Sequence, residues 1–422
     1  MSAIRKAFST ERSTLWHGDC ADVASVIAPE SIDAIVTDPP AGISFMGKAW
    51  DGDKGGRDQW IAWLRDVMRT AMGLLKPGGH ALVWALPRTS HWTATAIEDA
   101  GFEIRDVVVH LFGTGFPKSL DVSKAIDPDD AARFTGVGTA LKPGHEAWIL
   151  ARKPLAGTVA ANAIAYGTGG LRIDDCRIGD VDTRAPTGGS PDGSGWGTKS
   201  GAIAGSPLGR FPANVTLDEE AAATLDEQSG SLQSGGRSGV SYDTGYVTAV
   251  ASEWTIGGGG SGRCIADTGG ASRFFYVAKA PRAEKDAGLD HLPLRTGGDA
   301  TDREEGSAGL NSPRAGSGRT GGVRNHHPTV KSIALMRWLC RLITPPGGIV
   351  LDLFAGSGTT GLAALAEGLR FVGVEREAEF VDVAAGRLAH VECVAVPEMA
   401  QGDAAKSEPL QPSLFGSIGG AR

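Results

Sequence analysis

An α/β fold built on a mostly parallel sheet, covered on both faces, is the class this sequence predicts. Three observations predict it. Apolar runs of strand length alternate with stretches of helical periodicity, both before residue 155 and after residue 325. Most of the helical stretches end at proline or glycine. One strand-to-helix turn carries Gly356-x-Gly358-x-x-Gly361.

In chain order, Ser31 to Thr37 reads as a short apolar strand. A helix over Trp60 to Leu75 follows, with Trp60, Ile61, Leu64, Val67, Met68, Ala71, Leu74 and Leu75 on one face, and Lys76-Pro77-Gly78-Gly79 is its expected stop. "HALVWAL" (80 to 86) is a buried strand, Thr89 to Ala100 a helix, and "EIRDVVVHLFG" and "EAWILARKP" two further strands. From 155 to 325 glycine, serine and threonine dominate, with short ordered pieces such as "GRFPANVTLD" and "SRFFYVAKAPRAEK" set among loops. Regularity returns with "VKSIALMRWLCRLI", a helix ended by Thr344-Pro345-Pro346-Gly347-Gly348. "IVLDLF", "TTGLAALAEG", "RFVGVE" and "AEFVDVAAGRLAHV" then give strand, helix, strand and helix. The organisation predicted is 1–154 and 326–393 as two halves of one sheet-bearing domain, 155–325 as an insertion, and 394–422 as a polar, flexible tail.

At 422 residues, 41% of them apolar, the chain can bury a large core. No apolar run approaches a membrane span, and none follows Arg5, Lys6 and Arg12 as a signal peptide would. Five scattered cysteines without a Cys-x-x-Cys pair predict a reduced, cytoplasmic protein without structural zinc. The net charge of -8 taken alone argues against a polyanionic partner. Yet Gly306 to Leu351 contains no acid and six cations (Arg314, Arg319, Arg324, Lys331, Arg337 and Arg341), a local field that either holds phosphates or forms a solvated basic face.

The glycine turn lies between a strand and a helix, where glycine lets the backbone approach a ligand at the free N–H groups of the helix start. Glu375 ends the following strand 19 positions after Gly356, where a carboxylate can accept from two ribose hydroxyls. A nucleoside-containing cofactor follows. The fingerprint matches a dinucleotide site, so NAD is one candidate; too little chain remains for the usual second half, and S-adenosylmethionine is the other.

Asp38-Pro39-Pro40, closing the first strand, decides between them. The exocyclic amine of adenine or cytosine is a poor nucleophile because its lone pair is delocalised into the ring. Acceptors from a carboxylate and a backbone carbonyl draw the N–H bonds out of plane and aim the lone pair at an electrophilic methyl; prolines stiffen the turn that presents both. Catalysis is then largely positioning. An NAD-dependent oxidoreductase leaves this turn unexplained.

At this point the sequence resembles the amino-methylating DNA methyltransferases in the permuted arrangement called class beta. The blocks that carry the resemblance are "TDPPA", "LKPGGHALVWALPR", "FGTGFPKSLDVSKAID", "LKPGHEAWILARKP", "SRFFYVAKA", "NHHPTVKS", "TPPGGIVLDLFAGSGTTG" and "FVGVERE". It implies a circularly permuted, seven-stranded, Rossmann-like methyltransferase sheet with target recognition in 155–325. It further implies S-adenosylmethionine as cofactor and a flipped-out base in double-stranded DNA as substrate, adenine N6 favoured over cytosine N4 because the tetrad begins with Asp. By position, Asp38 and the Pro39 carbonyl, with Pro40, bind the amine. Asp19, Asp352, Phe354, Gly356, Gly358, Thr359 and Glu375 line the cofactor, and Thr329 and Lys331 cradle its methionine end.

Two positions depart from the family pattern. Ala41 stands where an aromatic ring stacks on the base, an interaction worth ~1–3 kcal/mol; Phe45 and Trp50 on the same loop can supply a ring. A relative that binds DNA but lost catalysis with that ring is the alternative. Ser332 stands where proline follows the lysine, at the cost of helix-start rigidity. His326 and His327 lack a third ligand at sensible spacing, and no metal site is expected. In the tail, Gln411, Leu414 and Phe415 of "QPSLF" resemble the short peptides that dock on the bacterial replication sliding clamp. Arg184, Arg210, Arg237, Arg263 and Arg273 are candidates for phosphate and groove contact, or ordinary surface.

Overall fold

In a computed structural model the described residues are 4–43, 49–52, 54–113, 115, 119–179, 208–234, 267–279, 282–296 and 322–398. The strands are β1 (Arg5–Ser9), β2 (Ser13–His17), β3 (Ile32–Thr37), β4 (Leu75–Ala85), β5 (Glu103–Leu111), β6 (His145–Arg152), β7 (Val215–Asp218), β8 (Leu232–Ser234), β9 (Asp267–Gly269), β10 (Tyr276–Ala278), β11 (Ile349–Asp352) and β12 (Arg370–Glu375). The helices are α1 (Arg57–Leu74), α2 (Ser90–Ala100), α3 (Pro128–Ala131), α4 (Val159–Tyr166), α5 (Glu219–Ser229), α6 (Ile333–Ile343), α7 (Thr359–Ala366) and α8 (Ala378–Glu398).

One sheet has the order β1-β2-β12-β11-β3-β4-β6-β5-β7-β10. The expectation of seven strands is therefore corrected to ten among the described residues. β1 adds antiparallel to β2 at one edge. At the other edge two short pieces of the glycine-rich span extend it, β7 pairing parallel to β5 and β10 parallel to β7. Segments that looked like islands among loops thus satisfy their backbone groups by extending the main sheet. β10 is tied down further: Tyr276 stacks on Trp338 of α6 at 5.6 Å and its hydroxyl donates to the Ala334 carbonyl.

Both faces are covered, as the alternation along the strands requires. Ala34, Val36, Leu82, Trp148, Leu150 and Val350 face the layer of α6, α7 and α8. Ile35, Ala81, Val83, Ile149 and Leu351 face α1 and α2. Helix α1 buries Trp60, Ile61, Leu64, Val67, Met68, Ala71 and Leu74, the face its periodicity predicts.

Two boundaries differ from expectation. Lys76-Pro77-Gly78-Gly79 is not a loop that stops α1; the helix turns directly into β4 at Leu75, which pairs with Ile32. The Pro-Gly-Gly segment forms the irregularity between Ile32 and Ala34, where Gly78 takes φ +73 and a Cβ on Gly79 would lie 3.0 Å from the Asp33 carbonyl. The terminal helix continues to Glu398, past the expected start of the tail at 394.

Strands from opposite ends of the chain meet at β3 and β11, which pair in parallel through Ala34–Val350 and Ile35–Leu351. Polar bonds fasten both ends of this seam. Asp33 accepts from the Ile349 N–H at 2.7 Å and from the Lys76 ammonium at 2.5 Å. At the other end buried Asp352 accepts from the Thr37 hydroxyl at 2.7 Å, the Thr360 hydroxyl at 2.6 Å and the Phe354 N–H at 3.0 Å. Burial raises the Asp352 carboxyl above the usual carboxylate range against the pull of these donors.

Asp352→Ala should strand two buried hydroxyls, each costing about 1–3 kcal/mol. Chemical denaturation should show destabilisation well above that of Thr37→Ser, which keeps the donor; equal stability of Asp352→Ala and the parent would refute the clasp.

Candidate functional site

After Asp352 the chain turns through Leu353, Phe354 and Ala355 into Gly356 and Gly358, whose φ angles of +51 and +76 lie in the left-handed region. Gly358 caps α7. A Cβ at Gly356 would stand 2.7 Å from His327 Nε2, and one at Gly361 2.7 Å from Leu388 and Phe371. Thus the first glycine admits an approaching group, the second the turn, and the third the packing of α7 on its neighbours.

Two residues hold the turn from outside it. Glu375 Oε2 accepts from the Gly356 N–H at 2.7 Å, while Oε1 accepts from the Glu377 N–H at 2.8 Å. Burial pushes the Glu375 carboxyl up to about 7, although the backbone donors pull it down. Arg387, buried in α8, donates from Nη1 to the Ser357 carbonyl at 2.7 Å, the Ser357 hydroxyl at 3.1 Å and the Thr359 hydroxyl at 3.0 Å. Sequence reasoning missed Arg387, because an arginine on a helix normally reads as exposed surface.

Asp38-Pro39-Pro40 directly follows β3. Burial lifts the Asp38 carboxyl to about 6, a rise only partly offset by the Lys331 ammonium 3.2 Å from Oδ2. After Ala41 the chain bends back at Gly42 (φ +70), and Asp51 receives the Gly42 N–H at 3.0 Å and the Ile43 N–H at 3.4 Å. The same short 3-10 turn, Ala49–Asp51, carries Trp50, whose ring stacks on His327 with centroids 6.5 Å apart and planes 19° apart. Phe45 lies outside the described residues.

Both turns open into one cavity of about 520 Å³, within the range of ordinary ligand sites. Asp19, Asp38, Pro39, Pro40, Ala41, Trp50, Thr329, Lys331, Asp352, Phe354, Gly356, Thr359 and Glu375 line it. Gly358 stands one residue behind the wall as the helix cap. The location has a topological cause. β3 leads through α1 to β4 and β11 leads through α7 to β12, with the two crossover helices on opposite faces. The crevice beyond the carboxyl ends of β3 and β11 is therefore the switch point of the sheet.

Several positions do more than the sequence suggested. Asp19 caps the turn Cys20–Ser25 by accepting from the Ala21 N–H at 2.9 Å, and also lines the cavity. Ser332 caps α6 by accepting from the Leu335 N–H at 3.5 Å, so serine here offsets part of the expected loss of rigidity. The ammonium of Lys331 sits between Asp38 and Glu146, 3.2 Å from each. Trp63 and Trp84 on the wall, and Glu146 behind Lys331, were not singled out beforehand; His327, considered only as a metal ligand, also lines the wall. Glu146 carries a faint signal in retrospect: it is an acid just ahead of the apolar run Ala147–Ala151 of β6.

His327 is half-buried beside Phe380 at 4.5 Å, and desolvation lowers its imidazole to about 3. Among the described residues no three His, Cys, Asp or Glu side chains are grouped to hold a metal. No helix among the described residues is long and apolar enough to cross a membrane.

The stretch without acids is answered from elsewhere in the fold. Arg337 and Arg341 both pair with Glu367 at 2.6 Å, and Arg324 lies 4.0 Å from Asp290. Arg314 and Arg319 lie outside the described residues, as do Arg184, Arg237 and Arg263. Arg210 and Arg273 lie over the Phe274 ring at 5.1 and 4.2 Å. Gln411, Leu414 and Phe415 also fall outside the described residues.

Residues 300–386 match the family model described as DNA methylase. Two curated proteins of Escherichia coli (strain K12) are similar over shorter stretches. The DNA adenine methyltransferase YhdJ is 44% identical over 63 residues, 15% of this chain and 21% of that protein. The putative methylase YubD is 43% identical over 67 residues, 16% of this chain and 30% of that protein. The chain thus matches less than a third of the length of either relative. Among solved structures, the PvuII DNA methyltransferase (cytosine-N4-specific) aligns with 91% of this chain and 88% of its own at 13% identity and a TM-score of 0.42.

Proposed function

We propose that this chain is an S-adenosylmethionine-dependent DNA methyltransferase acting on the exocyclic amine of a base, adenine N6 in preference to cytosine N4. One observation carries the reading: Asp38-Pro39-Pro40 and the Gly356 turn, far apart in sequence, open into a single cavity. The DNA methylase match over 300–386 spans that glycine turn and Lys331, and supports the reading. A nicotinamide-dependent oxidoreductase would use the glycine turn and leave the acid-proline-proline turn without a task.

The residues present fit the cofactor. Gly356 and Glu375 both face the cavity; Gly356 lets the His327 ring close over the turn, and the Glu375 carboxylate keeps lone-pair capacity for a ribose hydroxyl beyond its backbone bonds. Asp19, Phe354, Gly358 and Thr359 would complete that half of the site, with Thr329 and Lys331 towards the methionine end. When bound, S-adenosylmethionine supplies an electrophilic methyl on a sulfonium. Asp38 and the Pro39 carbonyl would accept the two N–H bonds of the target amine and direct its lone pair at that methyl. A base inside a duplex must first rotate out of the stack. Trp50 would supply a ring in place of the missing aromatic at Ala41, with Phe45 from the same loop.

Target recognition is assigned to 155–325 as part of this reading, and sliding-clamp docking to Gln411, Leu414 and Phe415. A labelled 400–422 peptide should bind a bacterial clamp and lose that binding on Leu414→Ala with Phe415→Ala; unchanged binding would reject the contact.

Asp38→Ala should abolish incorporation of labelled methyl into DNA, whereas Ala41→Tyr, which leaves both acceptors in place, should retain it. Because the carboxyl titrates near 6 and only its ionised form accepts from the amine, the wild-type rate should fall as pH drops through about 6. Normal methyl transfer by Asp38→Ala would sink the assignment. Glu375 supplies a second pH dependence. Its ionised form offers the better acceptors, so cofactor affinity measured by calorimetry should rise as pH increases through about 7. Glu375→Gln should bind about tenfold more weakly, the equivalent of ~1.4 kcal/mol, and lose that pH dependence.

A further inference from the structure

Asp38 does not face the cavity alone. Lys331 Nζ lies 3.2 Å from Asp38 Oδ2 and 3.2 Å from Glu146 Oε2, and 4.2 Å from the centroid of the Trp84 ring. The Trp84 indole N–H donates to the same Glu146 oxygen at 2.7 Å. Side chains from β4, β6 and the segment leading into α6 therefore converge on one acid at the end of β3. All three charges are withdrawn from water, with side-chain exposures of 22% for Asp38, 14% for Lys331 and 16% for Glu146.

Amine capture by Asp38 needs an acceptor; it does not by itself need a buried lysine with a second carboxylate behind it. Burying three charges is costly, and the cost is offset only by close mutual contacts. The ammonium contacts Asp38 and Glu146, and of these two carboxylates Asp38 is the one on the cavity wall, so Asp38 is what the arrangement serves. A lysine bonded to Asp38 alone would hold the carboxylate tightly and compete with an incoming amine. Glu146, steadied by Trp84, takes a share of the ammonium and leaves Asp38 Oδ1 without a bond from Lys331.

We infer that Lys331 and Glu146 are positioning residues for Asp38: the shared ammonium aims the carboxylate and keeps it ionised, and Glu146 limits how strongly it is held. The inference rests on Asp38 being the amine acceptor. It gives Lys331 a task distinct from cradling a methionine carboxylate.

The local charges support it and set the signs. At Asp38 burial is the largest influence and raises the carboxyl; Lys331 lowers it, while Glu146 and Asp352 raise it. At Glu146 burial also raises, yet Lys331 and the Trp84 N–H outweigh it, leaving that carboxyl below its ordinary range. His110 of β5 faces Glu146, but its imidazole is bonded to the Thr216 hydroxyl at 2.9 Å and burial lowers its proton affinity.

The test is the acid limb of the pH profile of kcat/KM for methyl transfer to duplex DNA, using the full chain. Removing the cation in Lys331→Gln should move the limb to higher pH by about one unit or more, the effect of an opposite charge at this range. Removing the anion in Glu146→Gln should move it to lower pH, and Lys331→Arg should keep it near the parent. Opposite shifts are not produced by a general loss of packing, and either position suffices if the other variant does not fold. Unmoved limbs in both Gln variants would overturn the inference. So would a Lys331→Gln variant whose only defect is a higher KM for S-adenosylmethionine. A parent protein inactive on DNA, or an active Asp38→Ala, would instead remove the methyltransferase reading beneath it.

Discussion

The parallel seam between β3 and β11 is the contact on which the site depends. Its strands come from opposite ends of the chain, with 315 positions separating Thr37 from Asp352. Closing so long a loop has an entropic cost, which grows only slowly with length. Both ends of the seam carry a buried acid that ties one strand's side chain to the other's backbone or hydroxyl: Asp33 to Ile349, and Asp352 to Thr37. An aspartate is short and has few rotamers, so each bond fixes the stagger of the strands as well as their adjacency. That stagger sets where Asp38 stands relative to Gly356.

Asp352 illustrates how a residue can be assigned to a ligand and serve the scaffold. Its position just before the glycine turn suggested contact with a cofactor, and it does reach the cavity wall. Its oxygens, however, are engaged by Thr37, Thr360 and the Phe354 N–H. Lys331 is a parallel case, its ammonium held by two carboxylates. In both, the spacing of a motif identified the neighbourhood correctly but gave no account of which partner is satisfied within the protein. Buried polar groups must be paired, and that pairing is decided by side chains remote in sequence.

The elements that were legible share a physical basis. Helix α1 and strands β3, β5, β6, β11 and β12 were readable because burial on one or both faces imposes a period on the residues themselves. The two turns were legible because glycine and proline restrict or release φ locally. Less legible were the Lys76-Pro77-Gly78-Gly79 segment, which resembles a helix stop but lies in a bulged strand, and β7 and β10, whose short cores gain order only by pairing with a sheet edge. Glu146, Trp84 and Arg387 carried too little local signal, and His327 was read only against a metal site, since an acid, an arginine or a ring has no preferred period and acquires its place from what surrounds it.

What the sequence by itself determined is the α/β class, the alternation that covers a parallel sheet on both faces, and two turns of recognisable chemistry. These are consequences of nearest-neighbour properties: periodicity, φ preference and the spacing of an acid from a glycine. Only the tertiary structure decided that the two turns share one crevice, that the sheet has ten strands among the described residues, and that the described cations between Gly306 and Leu351 face acids within the fold. Those outcomes depend on strand order and on long-range pairing of buried charges. No local pattern encodes them, because each partner lies tens to hundreds of residues away.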